Sequence, residues 1–354
     1  MKNSVLNTPL SFGFTLGIAL AGSAAFKLAG LPLPWMLGAM TATTVAAMSN
    51  VSLRSPEKVR PAVTSVIGVM LGSGFTADTF TQFGQWSLSL LGLLACIGVS
   101  AMVVSLYYVR VGRMDPVTAL FAAMPGGVVE MMEIGRQHGG DDRAIILAHA
   151  ARIVLVIALV AFWFRVVLGY EVSGVSVSSH GQAGPLDFAI LTLCGLIGAF
   201  AAYRAKFPAP AFLGPMLLSA GAHMLGLTQS SPPATLVICA QIIMGTIVGC
   251  RFVGMPAIKV FKAFALSLGA TLLMLATALG FALVLHGLLG QTTEQMLLAY
   301  APGGLTEMTL VALTLGGDVA YIATHHLVRV TVLLAIAAPL LGRVAKRIST
   351  RISA

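Results

Sequence analysis

Residues 125–152 read PGGVVEMMEIGRQHGGDDRAIILAHAAR, and residues 302–329 read PGGLTEMTLVALTLGGDVAYIATHHLVR. Laid side by side without a gap, both contain P-G-G-x2-E-M-x7-G-G-D-x7-H-x2-R, at an offset of 177 residues. Further out, Gly22, Pro32, Pro34, Leu37, Gly38 and Met40 return as Gly198, Pro208, Pro210, Leu213, Gly214 and Met216, at an offset of 176. Gly68, Gly72 and Phe75 then return as Gly245, Gly249 and Phe252 at 177, so one insertion or deletion separates the two registers. Agreement over this span means duplication. The expected units are a first repeat, residues 1–177, and a second, residues 178–354.

The chain around these blocks is apolar. Hydrophobic residues make up 57% of the 354 and charged residues 9%, with a mean hydropathy of +0.93. A soluble chain carries about 25% charged residues, so most of this surface is expected to face lipid. The 38 glycines fit close approach of membrane helices. Cys96, Cys194, Cys239 and Cys250 lie in apolar runs without a C-x2-C pair, and read as small buried hydrophobes. Lys2, an apolar run and AGSAA at 21–25 resemble a signal peptide. The same pattern recurs at 187–209, which argues for a retained membrane segment.

A spanning helix needs about 20 apolar residues. Candidate segments fall at 9–30, 34–50, 61–77, 86–109, 117–137 and 143–168, then at 187–205, 210–226, 234–252, 263–288, 294–315 and 319–342. The net charge is +9, and its basic residues cluster between those segments: Arg54, Lys58 and Arg60; Arg110 and Arg113; Arg204 and Lys206; Arg251, Lys259 and Lys262; Arg343, Lys346, Arg347 and Arg351. This is the pattern of cytoplasmic loops, whereas a nucleic-acid surface is one contiguous basic patch; no direct nucleic-acid partner is expected. With both termini inside and 171–186 outside, the count closes only if each P-G-G segment enters and returns on one side. The expected fold is therefore all-α: a polytopic membrane helical bundle of two repeats, inverted relative to each other. Each has about five spanning helices plus one re-entrant or broken helix. That architecture recurs among transporters, and re-entrant backbone at membrane depth needs protein or water around it.

Pro125, Gly126 and Gly127, with Pro302, Gly303 and Gly304, break the helix by removing a donor and permitting unusual dihedrals. Such a break exposes a helix N-terminus suited to an anion. Glu130 and Glu307 lie one turn beyond. His149 with Arg152, and His326 with Arg329, are i, i+3 pairs on one helix face. Each arginine is expected about 16 Å along its helix, half of a core about 30 Å thick. An ionisable residue at that depth marks a solute or ion path. A structural alternative is a Glu130–Arg152 and a Glu307–Arg329 ion pair locking each half together. Asp141 and Asp318 read as N-caps of the next helices. His149 and His326 are candidates for titration near neutrality, and Glu130 and Glu307 for proton exchange. His138, His180, His223 and His286 read as interfacial, and Asp78 and Glu171 as loop residues. Arg136, Asp142 and Arg143 have no counterparts in the second copy.

The doubled block, together with LPLPWMLGAM at 31–40 and FPAPAFLGPM at 207–216, resembles the bacterial AbrB-duplication family of membrane proteins over essentially the whole chain. The resemblance implies a multi-pass bacterial inner-membrane protein. Members carry two labels, ammonia monooxygenase and regulator of gene expression. The family shares its name, but not its composition, with a small DNA-binding regulator. An oxygenase needs a metal centre, usually with several imidazoles, and no H-x-H or H-E-x2-H pattern occurs. Only Glu130, His149, Glu307 and His326 together could hold one ion. The expectation is thus no metal and no cofactor, with partners in the lipid bilayer, a small and anionic solute, and protons. Three functions stay open: a secondary transporter, a membrane sensor affecting expression, and, disfavoured, a metalloenzyme. Homo-oligomer formation is open as well.

Overall fold

The computed structural model describes residues 9–75, 86–169, 184–207, 209–314, 317–333, 335 and 342–345. Pro208, Asp78, Glu171, His180, Lys346, Arg347, Arg351 and most of the expected outer segment lie outside the described residues.

Helices account for the regular structure among the described residues. In the first half they are α1 (Pro9–Leu28), α2 (Pro34–Met48), α3 (Arg60–Gly72), α4 (Trp86–Arg110), α5 (Pro116–Ala123), α6 (Val128–Gln137) and α7 (Asp142–Phe162). The second half follows in the same order with α8 (Pro185–Arg204), α9 (Pro210–Met224), α10 (Ala234–Gly249), α11 (Ala257–Leu289), α12 (Thr293–Tyr300), α13 (Leu305–Thr314) and α14 (Val319–Val332). Trp86–Arg110, Asp142–Val167, Pro185–Arg204, Ala234–Phe252 and Ala257–Leu289 are long and apolar enough to cross a membrane. The chain is a polytopic helical membrane bundle.

Two compact units divide the chain. One comprises Met1–Gln82, Ala158–Ala257 and Thr309–Ala320; the other comprises Phe83–Ile157, Ile258–Met308 and Tyr321–Ala354. Neither follows the repeat boundary at 177/178, since each takes corresponding helices from both copies.

The first unit is packed through glycine. Gly22 of α1 lies against the backbone of Gly38 in α2, and Gly198 of α8 against that of Gly214 in α9. A β-carbon at any of them would land on the facing helix. Between copies the contacts are reciprocal. Gly68 and Gly72 of α3 rest on the carbonyls of Phe212 and Met216 in α9. Gly245 and Gly249 of α10 rest on those of Met36 and Met40 in α2, the corresponding residues. In both crossings the contacts advance together, so α3 runs parallel to α9, and α10 to α2. Ser65 Oγ donates to Ala211 O at 2.9 Å and Ser219 Oγ to Val69 O at 2.8 Å, which pins α3 to α9. His223 Nε2 lies 2.9 Å from Ser230 O, so the loop after α9 is held against the end of that helix. Of the four cysteines, Cys96, Cys194 and Cys250 are buried as expected, but Cys239 on α10 is exposed. An apolar thiol is at no disadvantage on a lipid-facing helix.

The second unit contains the helix breaks. Asp115 caps α5 by accepting from Thr118 N at 2.8 Å, and Thr292 caps α12 by accepting from Gln295 N at 3.2 Å. Past the break at Pro125–Gly127, α6 folds back on α5. Gly135 packs on the Phe121 ring, and Asp141 N donates to Thr118 Oγ1 at 2.7 Å. The chain therefore returns to the level at which α5 began, so the apolar run at 117–137 is a hairpin of two short helices. Phe121, Met131 and Ile145 pack inside it, while Tyr108, Ala119, Ala148 and Met274 join α5 to α4, α7 and α11. Replacing Asp115 by alanine should strand the Thr118 N–H and cost about 1 kcal/mol. A lowered unfolding midpoint in detergent would show it, with Asp141→Asn as a milder comparison.

Candidate functional site

Both P-G-G breaks and both His–Arg pairs lie in the second unit. In each copy the arginine reaches back to the C-terminal carbonyls of the short helix before the break. Arg152 Nη1 donates to Met124 O at 3.0 Å and more weakly to Ala122 O at 3.4 Å. Arg329 Nη1 donates to Ala301 O at 2.6 Å and its Nη2 to Gly303 O. Ala122 O, Met124 O and Ala301 O lie at the negative end of a helix dipole, where a cation is favoured; Ala301 O also accepts the Gly303 N–H at 2.9 Å, and Gly303 O belongs to the break itself. Arg152 is 3% exposed and Arg329 1%. Desolvating a charge costs several kcal/mol. Hydrogen bonds involving a charged group contribute about 1.5–3 kcal/mol each, so three of them offset much of that cost.

The third bond goes to histidine. Arg152 Nη2 donates to His149 Nδ1 at 2.9 Å, and Arg329 Nη2 to His326 Nδ1 at 2.8 Å. The other ring nitrogens donate to Phe121 O and Leu298 O, both at 3.0 Å. Each imidazole is thereby held as the Nε2–H tautomer with both nitrogens engaged. A second proton on Nδ1 would face an arginine N–H. The arrangement leaves neither ring a free lone pair for a metal. Among the described residues no cluster of three histidine, cysteine, aspartate or glutamate side chains could hold an ion.

Two further expectations need correction. The Glu130–Arg152 and Glu307–Arg329 ion pairs are absent among the described residues, where the ion pairs are Arg60–Glu57 and Arg136–Glu133. The arginines have turned to backbone, whose carbonyls lie closer than either carboxylate. Nor do the break glycines use unusual dihedrals: Gly127 is extended at φ −63°, ψ 133°, and none of the four is in the left-handed region. Glycine leaves room there for a folded-over side chain. The Glu130 carboxylate folds over Gly127 and that of Glu307 over Gly304, where a β-carbon would collide with them. Each glutamate is the third residue of its helix and curls over the N-terminus, the position of a capping-box carboxylate. The copies differ here, since Glu130 is exposed and Glu307 is 6% exposed.

Asp141 caps α7, accepting from Arg143 N at 2.9 Å and Ala144 N at 3.1 Å; Asp318 immediately precedes α14. Each guanidinium retains one buried N–H, its Nε, without a hydrogen-bond partner. Neither has a carboxylate in ion-pair range among the described residues, and Arg329 lies within electrostatic reach of Arg152. The unit thus holds two charges offset only by dipoles, each with a donor to spare. An apolar groove of about 330 Å³ in the first unit, near Val69, Leu191 and Leu236, contains none of these residues.

Sequence reasoning missed His325. It packs with Tyr300, Tyr321, Trp86 and Ser89 in a buried polar cluster of the second unit. The adjacent repeated His326 drew attention away from it; its tandem position was the available signal.

A family model described as transition state regulatory protein AbrB matches residues 35–345. An uncharacterized protein of Bacillus subtilis (strain 168), YhjN, is 23% identical over 355 aligned residues, spanning 92% of this chain and 90% of its own.

Proposed function

The chain belongs to the AbrB family, and from that premise we propose that it is a secondary transporter of a small anionic solute in the bacterial inner membrane. The observation that carries this reading is the pair of buried arginines, each with a spare Nε–H and no carboxylate beside it among the described residues. The solute's anionic group takes the place that the Glu130 and Glu307 carboxylates hold at the starts of α6 and α13, in the chain that carries the buried Arg152 and Arg329. Pro125, Gly126 and Gly127, with Pro302, Gly303 and Gly304, form the breaks at which those helices start. His149 and His326 position the arginines.

The reciprocal glycine crossings support a two-fold relation between the copies, as in an isologous contact. The loop charges favour copies that are inverted. Inverted repeats built around broken helices are a recurring basis of alternating access. Cytoplasmic termini follow from the loop charges. The family description speaks of regulation; a chain of membrane helices would reach gene expression through the solute it moves or senses.

Flux into proteoliposomes tests the reading, using labelled mono- and dicarboxylates, sulfate and phosphate, with methylammonium as the cationic control. At least one anion should enter wild-type vesicles. Arg329→Lys should slow it roughly tenfold or more, because an ammonium cannot reproduce the guanidinium fork. If tight vesicles admit none of the anions, the transport reading fails. Stoichiometric copper or iron in the purified protein would favour the enzyme instead.

A further inference from the structure

The cluster around His325 has no equivalent in the first copy. Tyr300, Tyr321 and His325 correspond to Ala123, Ala144 and Ala148, and Ser89 to Leu266. A duplicated framework has therefore acquired or kept a set of polar groups on one side only, in a position where each is at least nine-tenths buried. Buried hydroxyls and an imidazole carry a desolvation cost unless they are hydrogen-bonded, and here the bonds run in one direction.

His325 Nδ1 lies 2.7 Å from Tyr321 O, a carbonyl that only accepts, so the proton of the neutral ring is on Nδ1. The lone pair on Nε2 accepts the Ser89 hydroxyl at 2.8 Å. Ser89 has then used its one proton, and its oxygen accepts from the Tyr321 hydroxyl. Tyr300 donates to the Ser89 carbonyl at 2.6 Å, and its oxygen stands 3.4 Å from Ser89 Oγ. The chain Tyr321 to Ser89 to His325 thus ends on a basic nitrogen. If Nε2 gains a proton, Ser89 Oγ can accept it and the hydroxyl can turn toward the Tyr300 oxygen. Aromatic rings favour a cation on their faces, and those of Tyr321, Tyr300 and Trp86 surround the imidazole at centroid distances of 4.0, 6.1 and 6.5 Å.

We propose that this cluster is a proton-binding site, with His325 as the acceptor and the Tyr321–Ser89 hydroxyls as the relay. Uptake passes the Ser89 proton to Nε2, the Tyr321 proton to Ser89 Oγ and an incoming proton to the Tyr321 oxygen, and release runs the same three transfers backward. The titratable or charged neighbours are Tyr300 from α12, Tyr321, His326 and Arg329 from α14, and Cys96 further along α4. In the transport reading, on which its use as a coupling site rests, this assigns the coupling proton to the second copy alone. His149 and His326, with both nitrogens engaged, are left to hold the arginines.

The test is a pH titration of the full chain in lipid bilayers, labelled with 15N on the histidine rings and followed by solid-state NMR. One Nε2 resonance should move from the unprotonated to the protonated position on acidification and be absent from His325→Gln. In Ser89→Ala and Tyr321→Phe its midpoint should shift by about one pH unit, the worth of a lost buried hydrogen bond, with the other ring signals unmoved. If the His325 signal stays neutral until the protein unfolds, or titrates unchanged in both hydroxyl variants, the proposal is overturned. Thermal midpoints of the variants separate misfolding from loss of the site. The titration needs no solute, so its failure is distinct from failure of the flux experiment.

Discussion

Replacing Arg329 by methionine is expected to lower stability by about 3 kcal/mol, through two buried groups left without a donor and a third that loses one of its two. Each buried acceptor left unsatisfied costs about 1–3 kcal/mol, and here they are the Gly303 carbonyl and Nδ1 of His326, while the Ala301 carbonyl keeps the Gly303 N–H at 2.9 Å. Relief from desolvating the guanidinium returns part of this. Arg152→Met should cost less, because one of its carbonyl bonds is long at 3.4 Å. Lysine should rescue neither fully, since one ammonium cannot span two carbonyls and a ring nitrogen. Thermal unfolding in detergent measures all four variants. Equal midpoints for Arg329→Met and wild type would show that the arginine is not what holds the break.

Gly214→Val should be comparably damaging, about 3 kcal/mol. The added atoms meet the Gly198 carbonyl and Ala202, and neither backbone nor a buried neighbour can retreat. Membrane helices also lack a hydrophobic force to draw them together again once packing is lost. The control lies on the same helix: a β-carbon at Gly221 meets nothing within 4 Å. Gly221→Ala should be neutral or stabilise by up to about 1 kcal/mol through helix propensity. Monodisperse recovery from size exclusion and the unfolding midpoint separate the two cases. If both variants behave alike, the close crossing of α8 and α9 is not as described.

The helices were legible because their apolar runs are long and bounded by Pro, Gly or basic residues; α4 and α8 fall within a residue or two of the expected spans. The break was legible from Pro125–Gly127, and the return of α6 onto α5 from loop charges alone. Partners of charged side chains were not. Spacing places Glu130 and Arg152 in one neighbourhood, but backbone carbonyls at a helix end have no sequence signature, and they win by proximity. The interleaving of the two copies was hidden for a related reason. A tandem repeat suggests two side-by-side blocks, whereas Gly68 and Gly245 show their meaning only once Phe212 and Met36 are in place. His325 was missed because attention to duplicated residues passes over those present once.

The reciprocal crossings have a consequence for how the protein is made. α3 finds its bed on α9, and the hydrogen bonds that hold it there join residues 146 and 150 positions apart. α2 waits longer still, for α10. During synthesis the first copy leaves the ribosome with its glycine faces bare to lipid, and it stays so until most of the second has been inserted. A nascent chain in that condition depends on the insertion machinery, or on another copy of itself, to cover those faces. Truncation after the first copy should therefore yield either a degraded fragment or a self-associated pair.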